Sequence, residues 1–221
     1  MVKMNASGKK QYIAEIIRRL KQRYSSEMKT RLDHSTGWQL LVATMLSAQA
    51  MDSTVNKATH SLFKAYKTPK DFSRLKPTQL YKFTRSIGLY RAKSRNIIKS
   101  ARMLAEQYNS KVPKSINELT RLPGVGRKTA NVVLANAYGI NEGIAIDTHC
   151  ITVSNRLGVV RTKNPEKIEQ ALMEITPRKE WGNITHLFIA LGRDVCTARA
   201  KLCERCVLND ICPSSTVKVV K

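Results

Sequence analysis

At 221 residues the chain has room for one large domain or two small ones with a proper core. Its 39 Lys and Arg against 16 Asp and Glu give a formal charge of +23, an excess that calls for a polyanionic partner, either nucleic acid or an anionic membrane surface. A membrane-spanning protein is excluded because the most apolar stretch, Trp38 to Ala50, is short and carries Gln39, Thr44, Ser47 and Gln49. An N-terminus without an apolar signal core and an odd count of five cysteines argue against an exported disulfide scaffold.

In chain order, residues 9–24 predict an amphipathic helix with Ile13, Ile16, Ile17, Leu20 and Tyr24 on one face. A turn-rich piece, Asp33 to Gly37, leads into a segment that is apolar nearly all round, so residues 38–46 predict a buried central helix. Asp52-Ser53-Thr54 is placed to cap the next helix, whose core stripe is Val55, Ala58, Leu62, Phe63 and Tyr66. Pro69 and Pro77 each open a short helix. The pattern breaks at Ser86 to Lys93 before a long helix carrying Ile97, Ile98, Ala101, Leu104, Ala105 and Tyr108. A polar, turn-forming run at 117–121 precedes Leu122-Pro123-Gly124-Val125-Gly126-Arg127-Lys128-Thr129-Ala130, where a helix starts at once. Helices resume at Thr148, at Pro165 and near Arg178, and Ile144-Ala145-Ile146 is too short for a strand. The expected fold class is all-α.

Chemistry concentrates in five places. Gly124 and Gly126 let the backbone turn sharply and approach another molecule, and a turn that opens a helix leaves N–H groups suited to a phosphate oxygen. Lys128 falls within the first turn, where helix-end charge and any burial disfavour an ammonium and favour a nucleophilic amine. The same spacing also serves a surface helix start with a solvated lysine. Asp147, followed by Thr148 and His149, is well suited to cap a helix, and a capping aspartate can also face a cleft. Ser47 and Gln49 close the central helix, and Ser86-Ile87-Gly88-Leu89-Tyr90-Arg91-Ala92-Lys93 forms a degenerate version of the Leu122–Lys128 turn.

The fifth place lies toward the C-terminus, where Cys196, Cys203, Cys206 and Cys212 are separated by six, two and five residues. Four thiolates this close can converge on one metal centre. Zinc favours paired knuckles, whereas one close pair flanked by wider gaps suits the four separate corners of a cubane. Cys150 is left over and reads as a small buried apolar group.

The Leu-Pro-Gly-Val-Gly-Arg-Lys run followed by Asp-Thr-His, the Leu-Ser-Ala-Gln segment ending at Gln49, the Ile-Gly-Leu-Tyr loop and the cysteine spacing occur together over residues 30 to 212. In these features the chain resembles the endonuclease III family of helix-hairpin-helix DNA glycosylases/AP lyases. The resemblance implies a two-lobed fold: a six-helix domain at 30–137 holding the hairpin, and a second domain of 1–29 plus 138–221 holding a 4Fe–4S cluster on the four cysteines. Lys128 would be the nucleophile and Asp147 the catalytic carboxylate, facing each other across the cleft between the lobes. Gln49 would fill the space left by a flipped nucleotide, and Leu89 would wedge into the duplex. Gly124, Gly126, His149, Arg199 and Lys201 would contact DNA, with the cluster pinning the basic loop. Met51 stands where the family usually carries Thr.

The implied activity is base excision repair of oxidised pyrimidines such as thymine glycol, with β-elimination at the abasic site through a lysine Schiff base. The implied partner is double-stranded DNA with a damaged base or abasic site, met by a monomer in the cytoplasm of a prokaryote, at the nucleoid through DNA, with no membrane. Two alternatives remain at this point. One is the same fold aimed at mismatched uracil or thymine, or at adenine. The other is a non-catalytic DNA-binding module or iron–sulfur redox sensor.

Overall fold

Apolar side chains collect in two separate cores, and the chain contributes to one of them from both of its ends. The computed structural model describes residues 5–217. One unit runs from Arg31 to Glu142; the other comprises the chain up to Thr30 and from Gly143 onward. The described residues are helical, without a β-strand; an isolated antiparallel bridge pairs Cys196 with Lys201. Among them no helix is long and apolar enough to cross a membrane.

In the Arg31–Glu142 unit, α2 (Gly37–Ser47) is the apolar centre expected from its composition, with Leu40, Leu41, Val42, Ala43 and Leu46 fully buried. Thr36 caps it by accepting from the Gln39 N–H. Then come α3 (Asp52–Ala65), α4 (Pro69–Ser73), α5 (Pro77–Thr84), α6 (Tyr90–Gln107), the single-turn α7 (Ile116–Leu119) and α8 (Arg127–Tyr138). Phe72 of α4 is buried and meets Trp38 edge-on at 5.2 Å and Tyr66 at 6.1 Å, which locks the short helix to the centre.

Both prolines stand at the first helical position, where the missing N–H costs nothing. Thr68 and Asp71 form a reciprocal capping box around α4. Two local expectations are corrected. Asp52 begins α3 rather than capping it: Met51 holds the N-cap position, with no side-chain cap, and the carboxylate sits in the first turn near the positive helix end. The polar run at 117–121 is partly helical, because Ser115 accepts from the Glu118 N–H and nucleates α7.

The other unit holds α1 (Ala6–Arg23), α9 (Thr148–Arg156), α10 (Pro165–Ile175) and α11 (Trp181–Asp194). Arg178–Glu180 is a 3-10 turn, so the last helix starts three residues later than its sequence pattern suggested. Ile13, Ile16 and Leu20 of α1 pack in one core with Val153, Leu172, Leu187 and Phe188. Polar contacts bind α1 to the C-terminal segment as well. The Tyr12 hydroxyl donates to the Leu157 carbonyl, and Arg19 donates to the Val207 carbonyl and pairs with Asp210 and Glu15. Ile144, Ala145 and Ile146 run buried beneath, where Thr185 donates to the Ala145 carbonyl and the Ile144 N–H donates to Glu169.

Hydrogen bonds from Arg18 and Arg19 lower the pKa of Glu15 from 4.5 to about 2. A carboxylate held low stabilises the fold above its unfolded value, and that stability is lost as pH falls through the folded value. Urea unfolding midpoints are therefore expected to fall between about pH 4.5 and pH 2, and Glu15→Gln should flatten part of that fall. An unchanged slope in the variant would remove this network from the account.

Candidate nucleic-acid interface and cysteine loop

The Leu122–Lys128 turn is anchored from below. Leu122 and Val125 are buried, and the Val125 N–H donates to the Leu122 carbonyl. Gly124 has φ +80°, and a Cβ there would stand 2.8 and 2.9 Å from atoms of Asn96, so both its conformation and its neighbour require glycine. Gly126 differs. Its backbone is extended, and a Cβ there would meet nothing within 4 Å, so the protein's own packing does not demand the missing side chain. Gly126 is the N-cap of α8 and offers no side-chain cap, and no acidic residue occupies the first turn. The result is bare backbone at a positive helix end, the arrangement that receives a phosphate oxygen. Lys128 is the second residue of α8 and is exposed. The helix end is thus present at Lys128, while the fold around it supplies no enclosure.

The turn rests on α6. Asn96 of α6 packs against Gly124, and the Ser100 hydroxyl donates to the Pro123 carbonyl at 2.9 Å. Leu89, the N-cap residue of the same helix, has φ +57° and is 67% exposed, so an apolar side chain is held outward by strained backbone. Gln49, just beyond α2, has φ +56° and is also exposed. A second apolar side chain accompanies it, since Met51 is 73% exposed. Lys93, which sequence reasoning left inside a turn motif, is buried on α6. Its Nζ donates to the carbonyls of Leu46 at 2.8 Å and Ala48 at 2.5 Å, and burial lowers its pKa. The available signal was its place on the apolar stripe with Ile97, Ala101 and Leu104. A cavity of about 340 Å³ at the opposite end of α2, lined by Trp38, Lys67, Lys111, Lys114 and Tyr138 among others, contains none of these residues.

In the other unit Asp147 is the N-cap of α9, and its Oδ1 accepts from the Cys150 N–H at 2.8 Å. The side chain is half-buried, and its charge acts on His186 of α11, whose pKa burial lowers despite the raising influence of Asp147 and Glu27. His149 is half-buried and packed on α11: a Cβ on Gly192 would lie 2.7 Å from its Nδ1. Cys150 is buried with its thiol toward the Ala145 and Thr185 carbonyls, as a small core group.

The four C-terminal cysteines are free thiols. Cys206 and Cys212 are pushed up by burial and then by the neighbouring cysteines, so these thiols lie within electrostatic reach of one another. Cys203 is held down: against desolvation, hydrogen bonds from Thr216 and Ser215 and the charge of Lys201 prevail. Arg156, the last residue of α9, ties the loop by donating to Cys196 Sγ at 3.3 Å and to the carbonyls of Thr197 and Ala198. Among the described residues no three His, Cys, Asp or Glu side chains are gathered as a single metal ion would need. Arg199 and Lys201 are exposed, and Lys201 spends one donor on the Ser214 carbonyl.

Residues 42–178 match the HhH-GPD superfamily base excision DNA repair protein family. The chain is 42% identical over 209 residues to endonuclease III of Synechocystis sp., covering 95% of each chain. It is 41% identical over 198 residues to that of Escherichia coli, covering 90% of this chain and 93% of the relative. Among solved structures, a trapped endonuclease III–DNA covalent intermediate in an estranged-adenine complex is similar with a TM-score of 0.86 and 42% identity, covering 93% of this chain and 96% of that one. A thermostable thymine-DNA glycosylase shares the fold at a TM-score of 0.79 and 20% identity, covering 93% and 96%.

The cap at Asp147 can be separated from its charge. Asp147→Ala should lose about 1 kcal/mol of stability and Asp147→Asn, an equally good cap, no more than about 0.3 kcal/mol, read from paired urea melts. Equal losses in the two variants would mean that the Cys150 hydrogen bond is not what holds this helix end.

Proposed function

The chain belongs to the endonuclease III group of the helix-hairpin-helix base excision repair superfamily and is a DNA glycosylase/AP lyase, in which we propose that Lys128 is the nucleophile and Asp147 the working carboxylate on oxidised pyrimidines. The observation that carries this reading is the placement of Lys128: exposed, in the first turn of a helix whose N-cap is bare glycine backbone. A phosphate held at those N–H groups would set the register of the adjoining sugar against the amine. DNA supplies the enclosure that the free protein lacks.

The reaction then runs as follows. The Lys128 Nζ lone pair attacks C1′ of the flipped nucleotide as the N-glycosidic bond breaks, and the base leaves with the bonding electrons and takes up a proton. Positive charge on the sugar in that step is stabilised by the fixed Asp147 carboxylate. Opening of the sugar gives a protonated imine between Nζ and C1′. Loss of a C2′ proton then expels the 3′ phosphate by β-elimination, and water releases the lysine. Gln49 and Leu89, held outward by left-handed backbone, are the side chains we assign to enter the duplex, and Gly124, Gly126, Arg199 and Lys201 are assigned to its phosphates. His149, packed on α11, is kept as a DNA contact through whatever edge it presents beyond that packing.

Borohydride reduction on a duplex carrying thymine glycol tests the assignment. Wild type should yield a covalent protein–DNA adduct and a nicked strand, Lys128→Ala neither, and Asp147→Asn base release slower by on the order of 10² while folded. Trapping by Lys128→Ala would displace the nucleophile. Trapping on an abasic duplex alone would keep the lyase and remove oxidised pyrimidines as its target.

A 4Fe–4S cluster is assigned to Cys196, Cys203, Cys206 and Cys212. Supporting it are four free thiols, the electrostatic reach between them and the tie from Arg156. A single ion draws its donors to one point, whereas a cubane holds each thiolate on its own iron. When bound, the cluster supplies the positive charge that keeps the thiols ionised and fixes the loop bearing Arg199 and Lys201. The purified protein is expected to contain about four irons and about four acid-labile sulfides per chain. Zinc without sulfide would sink this assignment.

A further inference from the structure

We propose that Lys93 is a positioning residue that fixes Gln49 and Leu89 at one separation, a reading that rests on those two being the side chains that enter the duplex. The α2 helix ends at Ser47 with no basic residue in its last turn, so its terminal carbonyls need partners from elsewhere. Ser47 Oγ donates to the Thr44 carbonyl and the Ala50 N–H to the Ser47 carbonyl. Lys93 reaches across from α6 and donates to the Leu46 carbonyl and to that of the C-cap residue Ala48. The Ala48 carbonyl immediately precedes Gln49. At the other end of the same residue, the Lys93 backbone N–H donates to the Leu89 carbonyl. One residue therefore links the peptide that carries Gln49 to the peptide that carries Leu89. Each of these has a positive φ that a relaxed chain avoids.

Stability alone does not call for a lysine here. Lys93 is only 9% exposed, and a buried ammonium is costly even when hydrogen-bonded. An apolar residue of similar length would fill the stripe between α6 and the core, but it would leave the Leu46 and Ala48 carbonyls unpartnered and the Gln49 peptide free to shift. Extruding a nucleotide costs a few kcal/mol of stacking and pairing, repaid only if both side chains arrive together. A displacement of about 1 Å in such an arrangement can cost on the order of 10²-fold in rate.

The test compares Lys93→Met with Leu104→Ala, a core truncation in the last turn of α6, at temperatures where both are folded. Single-turnover base release on a thymine glycol duplex is set beside nicking of a preformed abasic duplex, which has no base to unstack. Lys93→Met should slow base release on the order of 10²-fold and abasic nicking less than about threefold, while Leu104→Ala slows neither beyond about threefold. A 2-aminopurine placed beside the lesion should lose most of its fluorescence rise at saturating Lys93→Met and keep it with Leu104→Ala. Lys93→Arg, which keeps the charge and donors, should recover most of the base release. Equal slowing on both substrates, equal slowing in both variants, or a normal fluorescence rise in Lys93→Met would overturn the proposal. Wild type that neither releases base nor nicks the abasic strand would instead overturn the enzymatic reading. Should Lys93→Met not fold, Lys93→Gln enters the same comparison.

Discussion

Helix ends leave carbonyls and N–H groups without intrahelical partners, and the Arg31–Glu142 unit depends on how that constraint is met at two places. At the end of α2 the partner is a buried ammonium from another helix. At the start of α8 no side chain caps the helix at all. The first end is closed at the expense of burying a charge, and the second is left without a side-chain cap. Both are organised by α6. Along one stripe of that helix, Leu89, Lys93, Asn96 and Ser100 stand at i, i+4, i+7 and i+11, and they present in turn an exposed apolar side chain, a donor to the end of α2, a wall for Gly124 and a donor to Pro123. A helix is the stiffest short spacer a protein has, so features placed along one face of it keep their distances.

The two glycines of the hairpin show why a motif need not have one cause. Gly124 satisfies the protein: its φ and its contact with Asn96 leave no room for a side chain. Gly126 is not demanded by the protein's own packing, since the space above it is open. A similar division runs through the exposed apolar residues. Met51, Leu89 and Leu202 are the large apolar side chains most exposed among the described residues. Met51 and Leu89 occupy the two loops that carry strained backbone at Gln49 and Leu89, and Leu202 lies in the cysteine loop. Folding gains nothing from apolar exposure in those places.

Much of this was legible in the chain itself, because periodicity, prolines and turn residues are local. The buried faces of α1, α2, α3 and α6, the proline starts of α4 and α5 and the helix opening beyond Gly126 follow from spacing alone. The misses have tertiary causes. Asp52 is a good cap by residue type, yet the chain turns one residue earlier, at Met51. The run at 117–121 looks like a turn until Ser115 is seen to nucleate it. Lys93 was hidden by its own chemistry. Lysine reads as surface, and only the carbonyls at the end of α2, over forty residues away in the chain, give it a buried role. His149 likewise reads as available until the bare backbone of Gly192 draws its ring onto α11.

The division of the second core between the two ends of the chain also governs the order of its making. Ile13, Ile16 and Leu20 are synthesised well over a hundred residues before the residues they pack with, Leu187, Phe188, Val195 and Leu208. While the Arg31–Glu142 unit can complete its own core during translation, α1 must wait as an amphipathic helix with its apolar face uncovered. Closing so long a loop is entropically slow compared with the local helix pairing of the other unit. The asparagine cap at Asn5 and the Glu15–Arg18 and Glu15–Arg19 pairs lie within α1 itself. They give the helix a measure of stability of its own during that interval, and the charges crowding its outer face discourage a premature partner.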